Sequence, residues 1–241
     1  MPENVITLKN DWPDGFDFRT DKTCQEVFKP FIEDQLKKLA AYDAQRPANI
    51  TYIFHEHAIR VGDMLKKTCL HMGLGQTVAE NMNWSGQPHD IGKMEQSTSV
   101  WDKKERVDET HPVYALRRIH PDLGVQIVET ELAGISHPFK DLMLDIMKYH
   151  HERMDGTGPH KIPGERLSAP VRLAAIVEAY DGSTIPRGHE KETGRDISPP
   201  GALTRMRAKG PAVFDMDLFE PFAEMILTEY KKTLEFDKPE P

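Results

Sequence analysis

CQEVFKPFIEDQLKKLAAY, residues 24–42, places its apolar side chains at three- and four-residue intervals. A 3.6-residue repeat lays such positions along one face, so the stretch reads as an amphipathic helix. A kink is expected near Pro30, because proline has no N–H for the helical ladder. The same periodicity recurs outward from this stretch. A break through Arg46, Pro47 and Ala48 leads into a helical segment over 51–71, with Val61, Leu65 and Leu70 inside and Gly73 as its stop. Residues 76–83 form a shorter helix. Residues 94–110 are polar and weakly patterned, a loop with room for a short helix. Helical character returns over 111–132 and over 140–151, where Leu142, Ile146 and Met147 are available for packing. ERMDGTGPHKIPGE, residues 152–165, is a loop rich in Gly and Pro. Residues 169–180 read as a buried helix, although their short apolar run also suits a strand. Residues 182–200 form a second Gly/Pro/charge-rich loop, and 218–234 a final helix. Residues 1–20 read as an irregular arm. No repeat occurs and no run alternates convincingly, so the expected class is all-α: a compact helical bundle with functional loops at helix ends.

The chain has 241 residues, and 38% of them are hydrophobic, enough for a sizeable core. The net charge of -8 and the lack of a long basic run make duplex nucleic acid an unlikely partner. A small phosphorylated ligand stays open, because bound cations dominate their local field. Cys24 and Cys69 fit neither a redox pair nor a zinc knuckle, and read as ordinary thiols. MPENVITLKNDWPDG, at the N-terminus, has no basic region followed by an apolar run. No stretch approaches the 18 or so apolar residues of a membrane span. A cytoplasmic location is expected.

Eleven histidines keep unusual company. His89 adjoins Asp90, His150 and His151 precede Glu152, and His55 and His57 flank Glu56. Imidazole and carboxylate together suit Mn, Fe or Zn, and a pair of such ions can activate a nucleophile and stabilise a phosphoryl transition state. One bridging carboxylate would hold both, and Asp90 is the best placed. Because the groups lie on separate segments, the fold must bring them together. HEH at 55–57 is too short for a metal pair on one helix face, so His55 and His57 have different jobs. These observations do not choose a substrate.

An ordered series of motifs adds to this. HAIRV (57–61), HDIGK (89–93), HPDLG (120–124), HHERMDGTG (150–158) and RLAAIVEAYDG (172–182) follow one another, and FDMDLFEPF (214–222) closes the series. Residues 51–228 thereby resemble the HD-GYP branch of the HD phosphohydrolase superfamily. The resemblance implies an HD-domain bundle over 51–235, an N-terminal arm and helical extension over 1–50, and a flexible tail over 236–241. It implies two divalent metal ions, Fe or Mn, held by His57, His89, Asp90, His120, His150, His151 and Glu178. Asp90 bridges the metals, and Lys93 meets the substrate phosphate and helps position the attacking water. The implied substrate is a cyclic dinucleotide, cyclic di-GMP first. A homodimer or a regulatory protein partner is compatible with the N-terminal helices.

The series departs from the family at three places. Ile53 stands where some members have a glutamate for a third metal, which favours two. Glu178 replaces an aspartate. The name-giving GYP reads Gly158, Pro159, His160, which weakens the choice of cyclic di-GMP more than the choice of a hydrolase. Other readings stay open. His111 competes with His120, although only His120 has the glycine in register. Asp90 could cap a helix, His57 or His150 could be a satisfied core histidine, and Lys93 could be a solvated charge. Glu178 could be a buried acceptor. Asp181 could fix the ring N–H of a ligating histidine or cap a loop. Glu152, Arg153 and Asp155 read as an ion-pair network holding their loop, where Gly156 and Gly158 permit tight geometry. Arg187 could meet a phosphate. His55, His71, His137, His160 and His189 have no assigned role. A phosphohydrolase for another nucleotide, or a degenerate nucleotide- or protein-binding module, is the competing function.

Overall fold

A computed structural model describes residues 12–103, 107–186 and 194–236. Among them there is no strand, and ten α-helices follow in order. These are α1 Lys29–Asp43, α2 Phe54–His71, α3 Gly75–Gly86, α4 Thr98–Trp101, α5 Pro112–Arg117, α6 His120–Glu131, α7 Pro138–Tyr149, α8 Ala169–Thr184, α9 Pro199–Lys209 and α10 Met216–Phe236. A π-helical turn, Cys24–Phe28, leads into α1, and a 3-10 helix, Gln87–Glu95, continues α3. The all-α expectation holds. No helix among the described residues is long and apolar enough to cross a membrane.

Several boundaries differ from the sequence reading, each for a local reason. Pro30 marks a change of helix type: the π turn ends at Phe28 and Pro30 sits in the first turn of α1. Residues 111–132 form two helices, because Pro121 opens the first turn of α6, where its missing N–H costs nothing. The 182–200 loop conceals the start of α9. Ser198 caps it through Oγ, which accepts from the Gly201 N–H at 3.2 Å, and Pro199 and Pro200 occupy its first turn. Ala202, Leu203 and Met206 then bury the inner face of α9. At α2 the expected stop is present: Gly73 has φ +73°, a conformation glycine adopts without steric cost.

The buried apolar side chains fall into three groups that wall off the centre of the molecule. The first joins α2, α3, α7, α8, α9 and α10 through residues such as Leu65, Ile146, Leu173, Ile176, Leu203 and Phe222. The second gathers Phe18, Phe28, Ile32, Ile91, Phe139 and Met143. The third is Leu39, Tyr42, Phe54 and Ala58. Each fully buried side chain of this size contributes roughly 1.5–3 kcal/mol, so the N-terminal segment is part of the molecule's stability. The described part of the expected arm is docked, while residues 1–11 of that arm and 237–241 of the expected tail lie outside the described residues. Phe18 stacks on Trp84 with ring centroids 4.7 Å apart, and its N–H donates to Asn81 Oδ1 at 2.8 Å.

Candidate metal centre

Five segments deliver side chains to one buried point. His57 comes from the first turn of α2, His89 and Asp90 from the 3-10 helix, and His120 from the start of α6. His150 caps the end of α7 with His151 next to it, and Glu178 comes from α8. Close backbone contact makes this possible. A Cβ on Gly92 would lie 2.0 Å from His120 O and 2.4 Å from Gly124 N, so only glycine lets the 3-10 helix touch α6. The glycines of HDIGK and HPDLG thus bring Asp90 and His120 together.

The donor atoms form two groups. His57, His89, Asp90 and Glu178 place ligand atoms within 4.8 Å of one another, and so do His120, His150 and His151. Asp90 faces both groups. Its Oδ2 lies 3.4 Å from His57 Nε2 and 3.5 Å from His89 Nε2. Its Oδ1 lies 2.9 Å from His120 Nε2 and 3.7 Å from His150 Nε2. All seven residues singled out in the sequence are therefore brought together, five of them buried and Glu178 and His151 partly open to solvent.

The tautomers show what the centre is built for. The Nδ1–H groups of His89, His120 and His150 donate to the carbonyls of Gly86 at 2.8 Å, Arg117 at 2.6 Å and Met147 at 2.8 Å. His57 Nδ1–H donates to Asp181 Oδ2 at 2.7 Å. A carbonyl or carboxylate only accepts, so each Nδ1 carries its hydrogen and each neutral ring turns a bare Nε2 to the centre. There the acceptors face one another, with Nε2 atoms 3.1 Å apart for His57 and His89 and 3.4 Å apart for His120 and His150. His57 Nε2 approaches Glu178 Oε2 to 2.7 Å, yet Glu178 Oε2 and Asp90 Oδ1 are buried without a hydrogen-bond partner among the described residues. Converging lone pairs in a buried pocket repel unless a cation lies among them. The donor set, imidazole nitrogens with two carboxylates, fits divalent ions.

The electrostatics hold both carboxylates charged and His150 neutral. Burial opposes charge on Asp90, but Lys93 and His89 outweigh it and hold the carboxyl well below its usual range. Burial likewise opposes charge on Glu178, and His57 beside it keeps the carboxyl ionised. Burial, helped by His151 and His89, drives His150 well below the ordinary imidazole value. For His57, burial is outweighed by Glu178, Asp181 and Asp90, which raise it, so without a metal a proton takes the place of a cation.

A third group, Asp21, Cys24 and His137, has the opposite logic. His137 Nδ1 accepts from the Phe139 N–H at 3.1 Å as the cap of α7, so its hydrogen sits on Nε2. Asp21 Oδ1 is taken by the Cys24 N–H at 2.8 Å. These are helix caps. His111 behaves in the same way, its Nδ1 accepting from the Val113 N–H at 3.1 Å to cap α5, and it belongs to neither donor group.

Other residues are resolved by position. Lys93 is 4% exposed and contacts Asp90 Oδ2, so it is not a solvated surface charge. Asp181 takes the ring N–H of His57 and also accepts from Arg60 Nε at 2.7 Å. Glu152 holds its loop through backbone groups, accepting from the N–H of His160 at 2.7 Å and of Ile162 at 2.9 Å, in place of the expected ion-pair network. Gly158 lies against it, where a Cβ would sit 2.6 Å from Glu152. Its small size serves loop closure. His160, with no role in the sequence reading, approaches Asp122 Oδ1 to 3.1 Å. Arg187 and His189 lie outside the described residues. Sequence reasoning missed Arg60, which HAIRV displays, and missed Arg46, Tyr52, Phe54 and Trp101, which only the fold brings to the site.

A family model described as an HD domain matches residues 26–218. The chain belongs to the HD domain family. Over 171 residues this HD chain is 28% identical to a cyclic di-GMP phosphodiesterase of Pseudomonas aeruginosa, covering 70% of this chain and 38% of that protein. Over 135 residues it is 24% identical to a 3'3'-cGAMP-specific phosphodiesterase of Vibrio cholerae, covering 56% of this chain and 25% of that one. It thus spans less than half the length of these curated relatives. Among solved structures it shares the fold of an HDG"Y"P protein from Bdellovibrio bacteriovorus, with TM-score 0.59 and 14% identity over 87% of this chain and 64% of that one.

Proposed function

We propose that this HD chain is a phosphodiesterase of the HD-GYP branch that hydrolyses a cyclic dinucleotide, with cyclic di-GMP the leading substrate, using two divalent metal ions, Fe or Mn. The observation that carries this is Asp90, whose two oxygens each face a separate group of bare Nε2 atoms. His57, His89, Glu178 and Asp90 would hold one ion, and His120, His150, His151 and Asp90 the other. Two ions there supply Lewis acidity toward a phosphoryl oxygen and acidify an attacking water. The protein's own part is positional. Carbonyls and Asp181 orient the rings, and Lys93 sets a positive charge beside Asp90, where negative charge grows on the phosphoryl group. Water adds to phosphorus, the bond to the leaving 3′-oxygen breaks, and that oxygen takes up a proton. The relatives named for cyclic di-GMP and for 3'3'-cGAMP support the substrate class. Gly158-Pro159-His160 in place of GYP makes 3'3'-cGAMP the second substrate to try. We assign the hydrolase domain to 51–235.

The test is anaerobic turnover of both dinucleotides by Fe- and Mn-reconstituted protein, with metal counted in the same samples and Asp90→Ala as the control. Two metals per chain and metal-dependent cleavage, both lost in Asp90→Ala, are expected. Two metals without cleavage of either dinucleotide would overturn the substrate. No bound metal would overturn the enzyme reading.

A further inference from the structure

Lys93 is buried, and an ammonium carries three donors. Among the described residues it makes one hydrogen bond, to Asp90 Oδ2. Aromatic rings enclose the rest. Its Nζ lies 4.6 Å from the centroid of Phe54, 5.3 Å from Trp101 and 5.4 Å from Tyr52. All three distances are within the reach of cation–π attraction, which strengthens when water is excluded. The rings also brace one another edge to face, Tyr52 on Phe54 at 5.6 Å and Phe54 on Trp101 at 5.5 Å.

An outer layer fixes this cage. Arg46 is buried, and its Nη1 donates to Asp43 Oδ1 and to Tyr52 O, each at 2.8 Å, while its Nε donates to Asp102 Oδ1 at 2.9 Å. Asp43 in turn accepts from the Phe54 N–H at 3.1 Å and the His55 N–H at 2.9 Å, capping α2. Trp101 Nε1–H donates to Lys93 O at 3.3 Å. Arg46 therefore ties the end of α1, the start of α2 and the end of α4 around one ammonium. Two cage rings also reach the metal groups, Tyr52 on His57 at 5.0 Å and Trp101 on His120 at 5.6 Å.

We infer that Tyr52, Phe54 and Trp101 are positioning residues: an aromatic cage, set by Arg46, that holds the Lys93 ammonium at Asp90. Hydrogen bonds on every N–H would pin the ammonium to fixed acceptors. Ring faces attract the charge and leave its remaining N–H groups uncommitted, so the cage holds Lys93 while sparing donors for an incoming anion. The kinetic part of this inference rests on the phosphodiesterase reading, and the spectroscopic part does not.

The experiment uses the full chain labelled with ¹³Cε-lysine, with Lys93→Met identifying the Lys93 signal. Ring currents should place that signal upfield of the other lysines. Trp101→Leu and Tyr52→Leu, at partly exposed positions, should return it toward them, and Trp101→Phe should largely preserve the shift. Metal content should stay at the wild-type level in all three. With a cleaved dinucleotide, kcat should fall about three- to tenfold in the leucine variants and recover in Trp101→Phe. A Lys93 signal among the other lysines in the unaltered protein, or one unmoved in both leucine variants, would overturn the cage. So would a kcat loss that follows metal loss. A shifted Lys93 signal in a protein that cleaves neither dinucleotide would sink the substrate and leave the cage standing.

Discussion

Asp181 illustrates how one carboxylate can govern a centre without joining it. It takes the His57 Nδ1–H at 2.7 Å and is itself held by Arg60 Nε at 2.7 Å. Burial opposes its charge, but His57 and Arg60 keep its carboxyl below the usual value. An amide in its place could present its NH₂ to the ring and invert the tautomer, turning the bare nitrogen away from Glu178 and His89. Asp181→Asn should weaken metal binding roughly 10- to 100-fold, read by competition against a chromophoric chelator. Unchanged affinity would remove Asp181 from the orienting role. The residues of the proposed ligating set were legible in sequence because each stands in a short motif. Arg46 was not, because its partner Asp102 is distant in the chain and nothing local marks either residue.

At the level of elements, the junction between the 3-10 helix and α6 decides whether the two metal groups share Asp90. Gly92 and Gly124 allow contact that a single methyl would fill. Gly92→Ala should force the two segments apart and cost about 1–3 kcal/mol, the usual range for overpacking. It should also lower occupancy in the His120 group first, because His120 would be carried away from Asp90 Oδ1. Urea unfolding with metal counting checks both, and a variant with full stability and both metals would refute the account. Helix existence was legible throughout the periodic stretches. What the sequence hid were starts and breaks formed by proline. Ser198-Pro199-Pro200 looks like a loop and caps α9, and His120-Pro121 looks continuous with α5 and begins α6. In both cases proline occupies a first turn, where the chain is already short of acceptors for its N–H groups.

For the whole molecule, stability should depend on pH through a group outside both donor groups. Asp145 on α7 has one oxygen buried without a partner among the described residues, and burial, with Asp141 nearby, raises its carboxyl to about 7. Between its ordinary value and that one, the folded chain keeps a proton that the unfolded chain has lost. Stability from this source is full at low pH, falls as pH climbs toward 7, and is constant above. Asp145→Asn should remove the loss, gaining of order 1–3 kcal/mol over the parent protein at pH 8 and little near pH 4. Denaturant unfolding of both proteins across that range provides the measurement, and a difference that does not vary with pH would exclude Asp145 as its source.

The ring hydrogens at the centre carry one last implication. Three of the four are anchored on main-chain carbonyls of helix turns, at Gly86, Arg117 and Met147. Those anchors form when the helices form, before any ion arrives. The vessel is shaped by folding and the ion is a guest. Stripping and reloading should therefore be a matter of exchange at a standing socket, and one specimen should accept different ions in succession without passing through the unfolded chain.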